Sequence, residues 1–193
     1  MQDLLQKKLL NYAPRQLTLD YPEAGILVPI TDNVSNPEMI FTLRSANLKT
    51  HRGQVAYPGG KRDPEDASLA ATALREAHEE IGLPPDQVNV IAPLSQVVSL
   101  HRILVTPYVG VVPEEHAYEA NPDEIESIFR VPIEFFLEDK RERTDALGFQ
   151  NSTLYVPCYK WERFQIWGLS AIVLVDFLNT VYDAGIDILE PPR

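Results

Sequence analysis

The stretch Tyr57–Pro85, "YPGGKRDPEDASLAATALREAHEEIGLPP", decides how the chain is read. Its glutamates Glu76, Glu79 and Glu80 crowd the last turns of one predicted helix, Asp66 to Ile81. Ala70, Ala73, Leu74, Ala77 and Ile81 recur at spacings of three and four, giving an apolar stripe that packs on a sheet. The three acids lie off that stripe and neighbour one another around the helix. Each like-charged pair costs about 0.2–0.5 kcal/mol. Glu79 and Glu80 also stand in the last turn before Gly82, at the negative end of the helix dipole. All these terms oppose stability, and a bound divalent cation reverses them. Carboxylate ligands select a hard metal, Mg²⁺ or Mn²⁺. The plain alternative is an acidic solvated face.

The loop before the helix favours the metal. Gly59 and Gly60 let the backbone approach a ligand closely. From Arg44 to Arg62 the chain carries five cations (Arg44, Lys49, Arg52, Lys61 and Arg62) and no acid. Yet the whole chain of 193 residues has a net charge of -11. A basic island in an acidic protein fits a small polyanionic ligand. The overall charge argues against general nucleic-acid binding. No apolar run is long enough for a membrane helix, and no secretory signal or peroxisomal tripeptide is evident. Cys158 is the only cysteine, so no internal disulfide forms and a reducing, cytoplasmic setting is expected. Cys158 itself reads as a structural thiol.

The remaining elements follow from pattern. "DLLQKKLLNYA" has helical spacing; "AGILVPIT" and "EMIFTLRS" read as paired strands, and "GQVAYP" as a short strand entering the loop. "VNVIAPLSQVVS" and "ILVTPYVGVVP" are further strands. "NPDEIESIFRVPIEFFL" reads as a loop and two short helices. "STLYVPCYKW" and "ERFQIWG" suggest a hairpin. "LSAIVLVDFLNTVYDAG" is a closing helix, with Ser170 as N-cap and Gly185 past its end. No linker divides the chain, so one α+β domain is expected, with a mixed sheet between helices in an α/β/α sandwich.

The loop and helix resemble the Nudix box, the signature of hydrolases that cleave a nucleoside diphosphate linked to another moiety. Gly60, five residues, Asp66, eight residues and "REAHEEIGL" carry the resemblance. The chain departs from the usual form in three ways. Asp66 stands for a glutamate, one extra residue follows it, and Ala77 replaces a larger aliphatic. The preceding "FTLRSANLKTHRGQVAYPGGKRD", Phe41–Asp63, is similar to the extended signature of coenzyme A pyrophosphatases, with Tyr57 where phenylalanine is usual.

The resemblance implies metal-dependent hydrolysis of a pyrophosphate, which for coenzyme A gives 3′,5′-ADP and 4′-phosphopantetheine. It implies Glu76, Glu79 and Glu80 as ligands of Mg²⁺ or Mn²⁺, with a backbone carbonyl near Gly59 as an addition. Arg75 orients a glutamate by an ion pair. The general base is a box glutamate, Glu79 among them, or an acid of a later loop. Glu124 is the loop candidate, with Asp123 and Glu126 as alternatives. Arg44, Lys49 and Arg52 are candidates for the substrate's phosphates, with Gly59 and Gly60 beside them. His78 is expected in solvent, and a role for His51 or His101 at substrate stays open. Trp161, Phe164 and Trp167 read as core rather than an adenine shelf. The expected partner is a small-molecule nucleotide, with neither nucleic acid nor membrane; homodimerisation stays open. Other Nudix substrates, such as ADP-ribose or NADH, and a non-catalytic nucleotide-binding domain are the rivals.

Overall fold

The computed structural model describes residues 1–48, 51–149 and 152–191. In chain order the elements are α1 (Gln2–Leu9), β1 (Glu23–Thr31), β2 (Glu38–Arg44), β3 (Val55–Ala56), β4 (Gly59–Lys61), α2 (Leu69–Ile81), β5 (Asn89–Pro93) and β6 (Val97–Val98). There follow β7 (Leu104–Val112), β8 (Ile125–Pro132), α3 (Ile133–Leu137), β9 (Arg141–Phe149), β10 (Ser152–Trp161), β11 (Phe164–Ile166) and α4 (Gly168–Tyr182).

The main sheet has eight strands and is mixed. β1 and β7 run parallel from Glu23 beside Leu104 to Thr31 beside Val112, and the other pairings are antiparallel. β1 is buried almost throughout, because both faces of the sheet are covered. Leu27 points to one side, where it meets Ala73, Ala77 and Ile81 of α2. Ile26, Val28 and Ile30 point to the other, into a larger core with Leu5 of α1 and Val173, Leu174 and Phe177 of α4. The expected α+β architecture, a mixed sheet between helices, is therefore what the chain forms. A second sheet, β9–β10–β11, extends this larger core. There Phe164 stacks on Phe129 of β8 at 3.7 Å.

Three expectations need correction. Ile125–Pro132, expected as a short helix, is β8, paired along β2 from Glu38 beside Pro132 to Arg44 beside Ile125. Alternating burial at Ile125, Phe129 and Val131 satisfies a sheet edge that local sequence does not reveal. β9, which the pattern did not suggest, exists because β10 supplies its ladder. Ser170 is not a cap: α4 starts at Gly168, and the buried Ser170 hydroxyl donates to the Val55 carbonyl at 3.0 Å, tying the helix to β3. The β1–β2 pairing and the hairpin of β10 and β11 follow expectation.

The close approach of α2 to β1 needs a glycine at position 25. A Cβ there would lie 2.1 Å from the carbonyl oxygen of Leu69, a backbone atom that cannot yield. Gly25→Ala is expected to lower the melting temperature sharply. Overpacking of this kind costs about 1–3 kcal/mol or more. Thermal unfolding followed by circular dichroism checks this against a surface alanine control.

Candidate active site

The helix α2 begins later than its pattern suggests, at Leu69, because Ser68 caps it and its hydroxyl accepts the Ala71 N–H at 3.1 Å. Asp66, placed inside the predicted helix, instead folds under the first turn. Its carboxylate accepts the Asp63 N–H at 3.0 Å and the Thr72 hydroxyl at 2.9 Å. It also takes a fork from Arg75, with Nε and Nη2 each at 3.1 Å. Hydrogen bonding from Arg75 and from the Asp63 backbone holds its carboxyl well below the usual carboxylate range. The role of Asp66, which the sequence left open, is thus to hold Arg75. The clue was present: Thr72 and Arg75 follow Asp66 at spacings that bring all three to the start of the helix.

Arg75 then reaches forward. Its Nη1 stands 3.0 Å from Glu76 and 3.1 Å from Glu79, while Nη2 donates to the Lys61 carbonyl at 3.2 Å. The expected ion pair from Arg75 to a glutamate is therefore formed, and to two of them.

The three glutamates are not equivalent. Glu79 is exposed at the surface. Glu76 is half-buried against the loop, and a Cβ on Gly60 would lie 2.4 Å from its carboxyl. Glu80 is only 1% exposed, which sets aside the plain alternative of a solvated acidic face for this residue. It sits beneath β4, not in the apolar core. One oxygen pairs with Arg44 Nη1 at 3.0 Å, and the other accepts the Gly59 N–H at 3.1 Å. Gly59 has φ +151°, which favours glycine and aims its N–H at the carboxylate.

Burial pushes the Glu80 carboxyl up to about 7, against the opposing pull of Arg44 and the Gly59 N–H; Glu76 and Glu124 add repulsion. Burial likewise raises Glu76, with Arg75 opposing and Glu79 and Glu124 adding repulsion. Glu124 therefore stands close enough for its charge to act on both Glu76 and Glu80. Its backbone is fixed by an N–H donated to Asn121 at 3.1 Å and a carbonyl that accepts from Ser45 at 2.8 Å. The loop itself is docked on the end of α2: Glu119 and Asn121 donate to the carbonyls of Ile81 and Glu80 at 3.1 and 2.9 Å. Of the alternatives, Asp123 is exposed in the turn, and Glu126 points to Arg163 at 3.9 Å.

Arg44 is bound to Glu80 rather than standing free for a distant phosphate. Arg52 is exposed on the β2–β3 loop, and Lys49 lies outside the described residues. His78 is exposed, as expected. His51 meets His101 edge-on at 4.8 Å, joining the β2–β3 and β6–β7 loops. Cys158 is fully buried, and Phe164 is core, while Trp161 and Trp167 are half-buried.

Among the described residues, no three His, Cys, Asp or Glu side chains stand together in a ready metal-binding group. The donor set nonetheless suits a hard cation. Glu80 is buried and Glu76 half-buried, Glu124 adds like charge to both, and a divalent ion relieves both the repulsion and the buried charge.

The NUDIX domain matches residues 22–148. The chain belongs to the Nudix family. The uncharacterised Nudix hydrolase NudL of Citrobacter koseri is 38% identical over 157 residues, 81% of each chain. NudL of Escherichia coli O1:K1 is 35% identical over 175 residues, 90% of this chain and 91% of that one. The Nudix fold recurs in a MutT/nudix family protein from Enterococcus faecalis, with TM-score 0.55 at 15% identity, covering 94% of this chain and 69% of the other. It recurs also in the Nudix hydrolase RenU of M. smegmatis, with TM-score 0.51 at 20% identity, covering 61% and 74%. Among the described residues no helix of this Nudix protein is long and apolar enough to cross a membrane.

Two opposite pH dependences of stability follow. The depressed Asp66 contributes stability that is present above about pH 4 and lost as pH falls below it. The raised Glu80 acts the other way: its folded form tolerates the proton better than the unfolded chain. It therefore costs stability increasingly as pH rises from about 4 to about 7. In chelator, Glu80→Gln is expected to melt higher than wild type at pH 8, by on the order of 2 kcal/mol, with the difference closing at pH 5. Asp66→Asn is expected to melt lower at pH 7 and to converge with wild type in acid. Melting curves across pH test both signs.

Proposed function

We propose that the chain is a metal-dependent pyrophosphohydrolase that cleaves coenzyme A or its derivatives to 3′,5′-ADP and 4′-phosphopantetheine. The observation that carries the hydrolytic reading is Glu80: a carboxylate buried under the Gly59–Gly60 loop, with the charges of Glu76 and Glu124 acting on it. A stable fold gains nothing from a carboxylate buried beside other acids. The coenzyme A reading rests on the Phe41–Asp63 stretch, which here forms the β2–β3 hairpin and delivers Arg44 to the centre.

Glu76 and Glu80 would hold Mg²⁺ or Mn²⁺, with Glu79 at the exposed side of the cluster. Such an ion, when bound, neutralises diphosphate oxygens and acidifies a water. The chain's own residues do the rest. Arg75, locked by Asp66, fixes Glu76 and restrains Glu79. Glu124, fixed through Asn121 and Ser45, accepts the proton of the attacking water, because its charge acts on both Glu76 and Glu80. The water oxygen bonds to one phosphorus, the bridging P–O bond breaks, and its electron pair leaves on the departing phosphate. Little covalent chemistry is asked of the protein, only charge neutralisation and positioning.

With Arg44 committed to the centre, Arg52 and Lys49 are left as readers of the 3′-phosphate. A charge-assisted hydrogen bond contributes about 1.5–3 kcal/mol. Coenzyme A is therefore expected to be preferred to dephospho-coenzyme A by roughly ten- to a hundred-fold in kcat/KM. Arg52→Ala or Lys49→Ala should narrow that gap while turnover of dephospho-coenzyme A persists. Chelator should abolish turnover of both, and Glu80→Gln should lower it by about a hundred-fold or more. Preference for ADP-ribose over coenzyme A, with no gap to narrow, would refute the substrate and leave the hydrolase.

A further inference from the structure

Both carboxylate oxygens of Glu80 already have a partner toward the loop and β2. One oxygen faces Arg44 Nη1 at 3.0 Å, the other the Gly59 N–H at 3.1 Å. A cation bound through the oxygen that faces Arg44 would share it with the guanidinium. Two positive groups cannot hold that oxygen at full strength. In so poorly solvated a place their repulsion is weakly screened.

Arg44 is built to give way. Its backbone is fixed on both sides: its N–H donates to the Gln54 carbonyl, and its carbonyl accepts from Gly53, both at 3.0 Å. Its side chain is less constrained. It is 21% exposed, and its buried Nε has no hydrogen-bond partner among the described residues. A guanidinium offers five donors, and carboxylate and phosphate oxygens fit the same fork. Moving from one to the other preserves charge pairing and can satisfy the idle Nε.

We infer that Arg44 and the divalent cation are alternative partners of Glu80, and that Arg44 passes from this carboxylate to a phosphate oxygen of the substrate as the cation binds. The inference rests on the metal reading of Glu80 proposed above. It assigns Arg44 to the scissile diphosphate, not to the 3′-phosphate. It also orders the events: cation first, phosphate second, with each phosphate oxygen arriving where a released guanidinium awaits it.

The exchange gives one substitution two effects of opposite sign. Arg44→Gln removes the competitor, so the protein should bind Mn²⁺ more tightly, by about tenfold, within the usual range of coupling between sites. Proton competition at Glu80 does not reverse this, because a doubly charged ion feels the loss of Arg44 twice as strongly as a proton does. The same variant loses its phosphate contact, so KM for coenzyme A should rise by roughly ten- to a hundred-fold. Arg44→Lys keeps the charge without the fork: Mn²⁺ affinity should stay near wild type while KM still rises.

The test is titration of the full chain with MnCl₂ alone, read by the electron paramagnetic resonance signal of free manganese, followed by steady-state kinetics with coenzyme A. Arg44→Met provides a second neutral variant should Arg44→Gln fail to fold. Tighter Mn²⁺ binding together with a raised KM supports the exchange. Weaker Mn²⁺ binding in the neutral variants overturns it, since Arg44 would then be holding Glu80 in place as a ligand. Unchanged affinity, or an unchanged KM, overturns it as well. Wild type that binds no Mn²⁺ brings down the metal reading itself, and the exchange with it.

Discussion

Two close approaches at glycines mark the position of α2, the first against backbone and the second against a side-chain carboxyl. At Gly25 the strand meets the Leu69 carbonyl, and at Gly60 the loop meets the Glu76 carboxyl. Between these contacts the helix lies so close to the sheet that its inner acid, Glu80, cannot reach water. The rest of the centre follows from that closeness. The Gly59 N–H comes within bonding distance, Arg44 is drawn in from β2, and carboxyls that would titrate normally on an open helix are pushed upward. The cluster is thus made by packing, and the acids alone would have been an ordinary polar face.

Arg75 and Asp66 keep this arrangement from collapsing. Asp66 uses both carboxylate oxygens on Arg75, and Arg75 spends its remaining donors on Glu76, Glu79 and the Lys61 carbonyl. One cation thereby joins the loop, the first turn of α2 and its later turns. The replacement of a glutamate by aspartate at position 66 is accommodated by the shorter carboxylate lying directly beneath the guanidinium and beside Thr72.

Much of this was legible in the sequence, and the reasons are local. The Gly-Gly loop, the arginine and the crowded glutamates lie within one short stretch, so their geometry depends on helix periodicity and a turn. What sequence missed depends on distant partners. β8 reads as helix until β2 is placed beside it. β9 is invisible without β10. That Glu80 is buried is not visible in the helix pattern, which does not know that β4 lies over it. Arg44 reads as a free phosphate binder for the same reason: its partner is 36 residues away along the chain.

The segment before β8 closes the end of α2 by giving its N–H groups to the carbonyls of Glu80 and Ile81. That end and the turn carrying Glu124 are consequently one mechanical unit, and its length is not free to change. Beyond Ser45, which donates to the Glu124 carbonyl, the described residues of the β2–β3 loop make no hydrogen bond to that unit. Insertions and exchanges there can reshape what the pocket admits while the reacting centre stays as it is. The molecule separates a part that must be kept from a part that can drift. A new specificity is therefore reachable by altering the hairpin alone.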